Sequence, residues 1–248
     1  MKKKFLKFCS DQKFQQNKKQ LDVLDSLIKF QDNNSIFKKI LFKFYKYEKK
    51  LGFYLHGGVG VGKTMILNFF FDNLNIPKQR KHFNEFMIEF HEFRHNFKHH
   101  KKDSSINSFV KNLKRKANLI YLDEFQVTNI VDAMILGKLF EALFKENIQI
   151  LISSNIKIDD LYRDGLQREQ FIPFINIIKI FCKEYELIVN QDYRKSEISK
   201  LERFFYPISD EVFFQASSIF REISKGIINK PKNIVIKKRN FIIKNYFE

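Results

Sequence analysis

The chain predicts an α/β fold: a three-layer sandwich around a central, mainly parallel, five-stranded sheet. Two observations carry this. Short apolar runs alternate with helical-period segments from Leu51 onward, the pattern of strands joined by crossover helices. In addition, only 8 glycines occur in 248 residues, and five of them crowd between Gly52 and Gly62, at the first strand-to-helix turn.

The elements follow in order. Residues 1–50 read as a basic, helical lead-in, with Leu21, Leu24, Leu27 and Ile28 at helical spacing. A strand is expected near 51–56, a helix over 63–74, a strand near 78–84 and a helix over 85–98. After a polar gap from Lys98 to Ser105 come a short helix near 106–116 and the apolar strand Asn118 to Asp123. A helix over 130–145, a strand from Ile148 to Ser154, an apolar helix near 171–182 and a strand at Leu187 to Val189 complete a core over 51–205. Residues 206–248 form a small appendage, with a helix near 211–225 and a hairpin pairing 234–236 with 241–243.

Size and composition exclude several classes. With 44% hydrophobic residues and 30 Phe, the chain can bury a large core. The 45 Lys and Arg against 28 Asp and Glu give a charge of +17, which suits a nucleic acid, an acidic membrane surface or an acidic protein, or simply a solvated lysine-rich exterior. Cys9 and Cys182 have no metal or redox spacing, which points to a reducing compartment. The most apolar stretch, Phe171 to Phe181, is interrupted by Pro173, Asn176 and Lys179 and is too short to span a bilayer. The basic start loses hydrophobicity after Phe8 and lacks the core of a signal peptide.

The glycine cluster is a phosphate loop. Gly57, Gly62, Lys63 and Thr64 satisfy G-x-x-x-x-G-K-[ST], and the eight residues Gly57, Gly58, Val59, Gly60, Val61, Gly62, Lys63 and Thr64 are the predicted phosphate-binding segment of a nucleotide site. Glycines let successive backbone N–H groups turn inward around phosphate, and the helix starting near Lys63 adds its positive dipole end. Lys63 reaches the β- and γ-phosphates, and Thr64 ligates Mg²⁺. The strand ending at Asp123 delivers a second Mg²⁺ ligand to the carboxyl edge of the sheet, with Glu124 placed to polarise an attacking water. The next strand ends in Ser153-Ser154-Asn155, where Asn155 can hold the lytic water beside the γ-phosphate. Arg163 and Arg168 follow on a turn, as candidate arginine fingers toward a neighbouring subunit or as surface ion pairs. Together these residues indicate the P-loop NTPase division with an added strand between phosphate loop and catalytic carboxylates.

Beyond these, GFYLHGGVGVGKT, KQRKHFNEFMIEFHE, LIYLDEFQVTNIVDAMILGKLFEALF, ISSN, DLYRDGLQREQFIPFI and DYR resemble the family of the bacterial cell-division ATPase ZapE and its mitochondrial Afg-one-like relatives, from about Leu21 to the end. The resemblance implies an AAA+ fold, ATP hydrolysis and a homo-oligomeric ring. It also implies a cytoplasmic protein, peripheral at the inner membrane at the division site, that destabilises FtsZ polymers with ATP. Asp123 and Glu124 become Walker B, Asn155 sensor 1, and Arg168 the preferred finger ahead of Arg163. Position 56 is His where that family usually has Trp. Family members continue past the point matching Tyr246-Phe247-Glu248 into a helical lid, so sensor 2 is expected to lie outside this stretch.

Three other readings fit parts of the chain. A nucleic-acid-associated AAA+ ATPase of the helicase-loader kind would use the positive charge. A non-catalytic ATP-binding scaffold would need no water-activating glutamate. His91-Glu92-Phe93-Arg94-His95 satisfies the zinc-protease pattern H-E-x-x-H, but Phe86, Phe90, Phe93 and Phe97 give the same helix a core face and no third ligand is evident.

Overall fold

A computed structural model describes residues 1–12, 14, 17–34, 50–97, 102–188, 209–224, 231–236 and 239–243. Contacts divide the chain into Met1–Arg194 and Lys195–Glu248.

In the larger unit, five parallel strands lie in the order β2-β3-β4-β1-β5: β1 (Gly52–His56), β2 (Lys78–His82), β3 (Leu119–Asp123), β4 (Gln149–Ser154) and β5 (Cys182–Glu186). The three central strands are buried throughout, because both faces are covered by helices. Their side chains sort by the two-residue period of a strand. Tyr54, Ile120, Leu122, Ile150 and Ile152 enter one core, and Phe53, Leu55, Leu119, Tyr121 and Leu151 enter the other.

The first core is closed by α4 (Phe83–Asn96), α5 (Lys102–Lys116), α6 (Ile130–Lys145) and α7 (Ile172–Phe181), with Phe125, Phe140 and Phe174 in mutual ring contact at its centre. The second is closed by α1 (Lys2–Asp11), α2 (Lys18–Asn34) and α3 (Lys63–Asp72). The basic lead-in is therefore half of a core layer: Phe5, Val23, Leu24, Leu27 and Phe30 are buried against Ile66, Leu67 and Phe70 of α3. Leu21 and Ile28 only pack on its border. Residues 35–49 of the expected lead-in lie outside the described residues.

Three boundaries move. The helix expected near 106–116 already begins at Lys102, inside the expected polar gap. β2 stops at His82 and α4 starts at Phe83, because Phe83 turns into the core with 1% exposure. The last strand of the sheet is not at 187–189: it is Cys182–Glu186, beginning directly where α7 ends. Edge placement explains the miss, since Lys183, Glu184 and Glu186 face partly outward and hide the strand pattern. Gly52 makes this close pairing possible; a Cβ there would lie 2.1 Å from Cys182 Sγ. Leu187 extends the pairing only through its N–H to His56 O (2.8 Å), and Val189 lies outside the described residues.

The second unit, taken by itself, contains α8 (Asp210–Ile223) and the antiparallel hairpin β6 (Lys232–Ile236) and β7 (Arg239–Ile243), in which Ile234 faces Phe241. No helix among the described residues is long and apolar enough to cross a membrane.

Candidate active site

The sheet order brings the carboxyl ends of β1, β4 and β3 side by side, and each strand ends on a polar or loop-forming residue. β1 runs into the phosphate loop. Gly57 has φ +151°, and a Cβ there would lie 2.3 Å from Leu187 O, so the turn off β1 demands glycine. Gly62, at φ +91°, caps α3, whose first residues are Lys63 and Thr64. Val61 anchors the loop in the second core while Val59 stands exposed at its tip.

Lys63 is 7% exposed, and its Nζ donates to Gly57 O (2.8 Å), Gly58 O (2.6 Å) and Asn155 Oδ1 (2.8 Å). Lys63 of the glycine-rich loop and Asn155, the residue expected to act as sensor, are thus in direct contact. Thr64 Oγ1 lies 3.5 Å from Asp123 Oδ1. A hydroxyl and a carboxylate facing each other are hard oxygen donors, a set that suits Mg²⁺.

Asp123 is 2% exposed, yet it is held ionised. Burial pushes its carboxyl up, but the Ser153 hydroxyl, the Arg80 guanidinium and the Tyr121 hydroxyl outweigh that and hold it below the usual carboxylate range. Tyr121 reaches Oδ1 at 3.1 Å, Ser153 donates to the same oxygen, and Arg80 Nη2 takes Oδ2 at 2.5 Å while lying over the Tyr121 ring. Glu124 adopts φ +53°, its N–H shared between Asp123 Oδ1 (3.1 Å) and Ser153 Oγ (3.2 Å). That turn sends its carboxylate into the open, 79% exposed, with His82 Nδ1 4.0 Å away.

The predicted arginines sit elsewhere. Arg163 pairs with Asp160 (3.5 Å) and Arg168 Nη2 donates to Asp159 O (2.7 Å), both beyond the Asn155 loop. Their turn is held by Tyr162 (φ +54°) and Gln167 (φ +55°), with Tyr162 OH donating to Leu166 O at 3.0 Å. Among the H-E-x-x-H residues, His91 Nε2 meets Asp132 Oδ1 of α6 at 2.6 Å and His95 is exposed. Among the described residues no group of three His, Cys, Asp or Glu could hold a metal.

Arg80, Tyr121 and Ser153 were not singled out from the sequence. Tyr121 had a signal, since two residues before Asp123 is the same strand face. Arg80 and Ser153 become neighbours only through the pairing of β2 and β4 with β3.

His56 replaces an expected Trp at the end of β1 and is 6% exposed. Its Nε2 is 3.3 Å from Glu184 Oε1. Burial depresses its pKa; Glu184 and Glu186 pull it up, and Lys157 and Lys63 push it further down. A folded pKa below the ordinary 6.5 means the neutral ring stabilises the fold above that value, and this stabilisation is lost as pH falls. The thermal midpoint should therefore drop from pH 7.5 to 5.5 more steeply in wild type than in His56→Gln; equal slopes would contradict it.

The AFG1-like ATPase family model matches residues 3–246. The chain belongs to the AFG1-like ATPase family. A relative in the same family, the cell division protein ZapE of Escherichia coli K12, is 35% identical over 176 residues, covering 71% of this chain and 46% of that protein. Lactation elevated protein 1 homolog B of Danio rerio is 33% identical over 201 residues, covering 76% of this chain and 40% of that protein. The chain thus spans less than half the length of these curated relatives. Among solved structures, the DnaC helicase loader is similar with a TM-score of 0.46 and 13% identity, covering 70% of this chain and 92% of that one. Within this AFG1-like chain, the parallel five-stranded sheet with helices on both faces is the α/β architecture that the strand pattern predicts.

Proposed function

We propose that this AFG1-like chain binds ATP at Gly57 to Thr64 and hydrolyses its γ-phosphate with Mg²⁺. The observation that carries the reading is the convergence of Lys63, Thr64, Asp123 and Asn155 at the ends of three adjacent strands. Lys63 offers the positive charge for the transferring phosphoryl group, and the N-terminus of α3, which begins at Lys63, would add its backbone N–H groups toward the same anion. Thr64 and Asp123 are the residues that would hold Mg²⁺, which when bound neutralises phosphate charge. Hydrogen bonds from Ser153, Arg80 and Tyr121 hold the Asp123 carboxyl below the usual carboxylate range, which suits this role. Glu124, the most exposed carboxylate of the cluster, is the general base for water, and Asn155 orients that water. Arg168, with Arg163 second, serves a neighbouring copy in a homo-oligomeric ring.

The proposed setting is cytoplasmic, with peripheral association at the division site. The proposed partner is FtsZ, extended from the similarity to ZapE. Phosphate release measured with and without FtsZ polymers tests the partner separately from the chemistry. Stimulation, with polymer loss that requires ATP, supports it; unchanged turnover and intact polymers overturn the partner alone. The charge of +17 favours one second reading, a nucleic-acid-stimulated ATPase. Salt-sensitive stimulation by single-stranded DNA, with none by FtsZ, would select it.

A further inference from the structure

Asn155 lies just past the end of β4, and the backbone that follows it is tied down at two points. Tyr54 OH donates to Ile156 O at 2.7 Å, and Ile158 N–H donates to Glu184 Oε1 at 3.1 Å. A third bond, from Ile156 N–H to Ser154 Oγ (3.0 Å), belongs to the strand end itself. Tyr54 is fully buried in β1, two residues before His56 and three before the phosphate loop. Glu184 is in β5, the strand on the other side of β1, and its Oε1 also faces His56 Nε2.

From this geometry we infer that Tyr54 and Glu184 are positioning residues that fix Asn155 relative to the phosphate loop, a role that rests on the proposed hydrolytic reading. The strand that launches the phosphate loop also carries the hydroxyl that locks the sensor loop, so the Lys63–Asn155 contact is set within one rigid sheet. Neither residue touches the nucleotide in this role. Each acts through Asn155, and a misplacement of about 1 Å in a catalytic group lowers a rate by up to about 10²-fold.

The test is Tyr54→Phe, which keeps the ring in the core and removes only the hydroxyl. Turnover should fall about tenfold while the dissociation constant for ATP, read by equilibrium titration, changes less than about twofold. Glu184→Ala should lower turnover in the same way, and Glu184→Gln, which keeps a carbonyl acceptor for Ile158 N–H, should restore most of it. The deciding measurement is in the Asn155→Ala background, where Tyr54→Phe should have no further effect on turnover if it acts through Asn155. A loss of equal size in both backgrounds overturns the inference and leaves Tyr54 a core residue only, as does Tyr54→Phe turning over at the wild-type rate. Wild type and Glu124→Gln are run beside them: if wild type releases no phosphate above background, the hydrolytic reading fails first, whereas an active wild type and an inactive Glu124→Gln with a fully active Tyr54→Phe remove the positioning role alone.

Discussion

Exchanging Glu124 for Gln should lower ATP turnover by about 10²–10⁴-fold and leave ATP bound. The exchange keeps side-chain length and removes the proton acceptor. The backbone at this residue is held by its own N–H, shared between Asp123 and Ser153, so the strained φ of +53° does not depend on the carboxylate. The side chain is 79% exposed, and His82 Nδ1 is 4.0 Å away, so the fold loses little. Lys63, Thr64 and Asp123, which meet phosphate and Mg²⁺ in the proposed site, are untouched. Phosphate release and ATP titration on the same preparation separate the effects. Turnover within threefold of wild type would remove Glu124 as the base, and ATP binding with no phosphate release from either protein would favour a non-catalytic, ATP-binding scaffold.

What was legible in the sequence and what was not divides along physical lines. Local signals carry the phosphate loop: a glycine requirement at Gly57 and Gly62 is written in residue type, and the structure shows positive φ at both. The strand that ends at Asp123 was readable as an apolar run ending in a carboxylate, and α6 runs from Ile130 to Lys145 with Asn129 capping Val131 N–H at 2.8 Å. The neighbours of Asp123 were not readable. Arg80 lies 43 residues before it and Ser153 30 after, and only strand order makes them adjacent. The last strand failed for a related reason. An edge strand with one face toward water need not be apolar, so Cys182–Glu186 hid behind its charges while the more apolar Leu187 and Ile188 drew the assignment. The lead-in also gained meaning only in three dimensions: Gln20 of α2 is 2% exposed and donates to Val61 O at 3.1 Å, so the first helices brace the phosphate loop.

Lys63→Ala should fail at an earlier step than Glu124→Gln, losing ATP affinity as well as turnover. In the structure the Lys63 ammonium satisfies Gly57 O, Gly58 O and Asn155 Oδ1, so it both organises the loop and ties it to the sensor. Truncation leaves two loop carbonyls and the asparagine without that donor and removes the cation proposed to meet the phosphates. Hydrogen bonds to charged groups contribute about 1.5–3 kcal/mol net, which corresponds to about 10- to 150-fold in ATP affinity. Turnover should fall further, because charge on the transferring phosphoryl group is stabilised most in the transition state. Ligand linkage gives a direct reading: Mg²⁺ and ATP at saturation raise the thermal midpoint of wild type and of Glu124→Gln, and at the same concentrations raise that of Lys63→Ala much less. An equal rise in all three would show that the nucleotide does not contact Lys63. A rise in wild type alone would instead give Glu124 a part in binding, and the division of labour between the two residues would have to be redrawn.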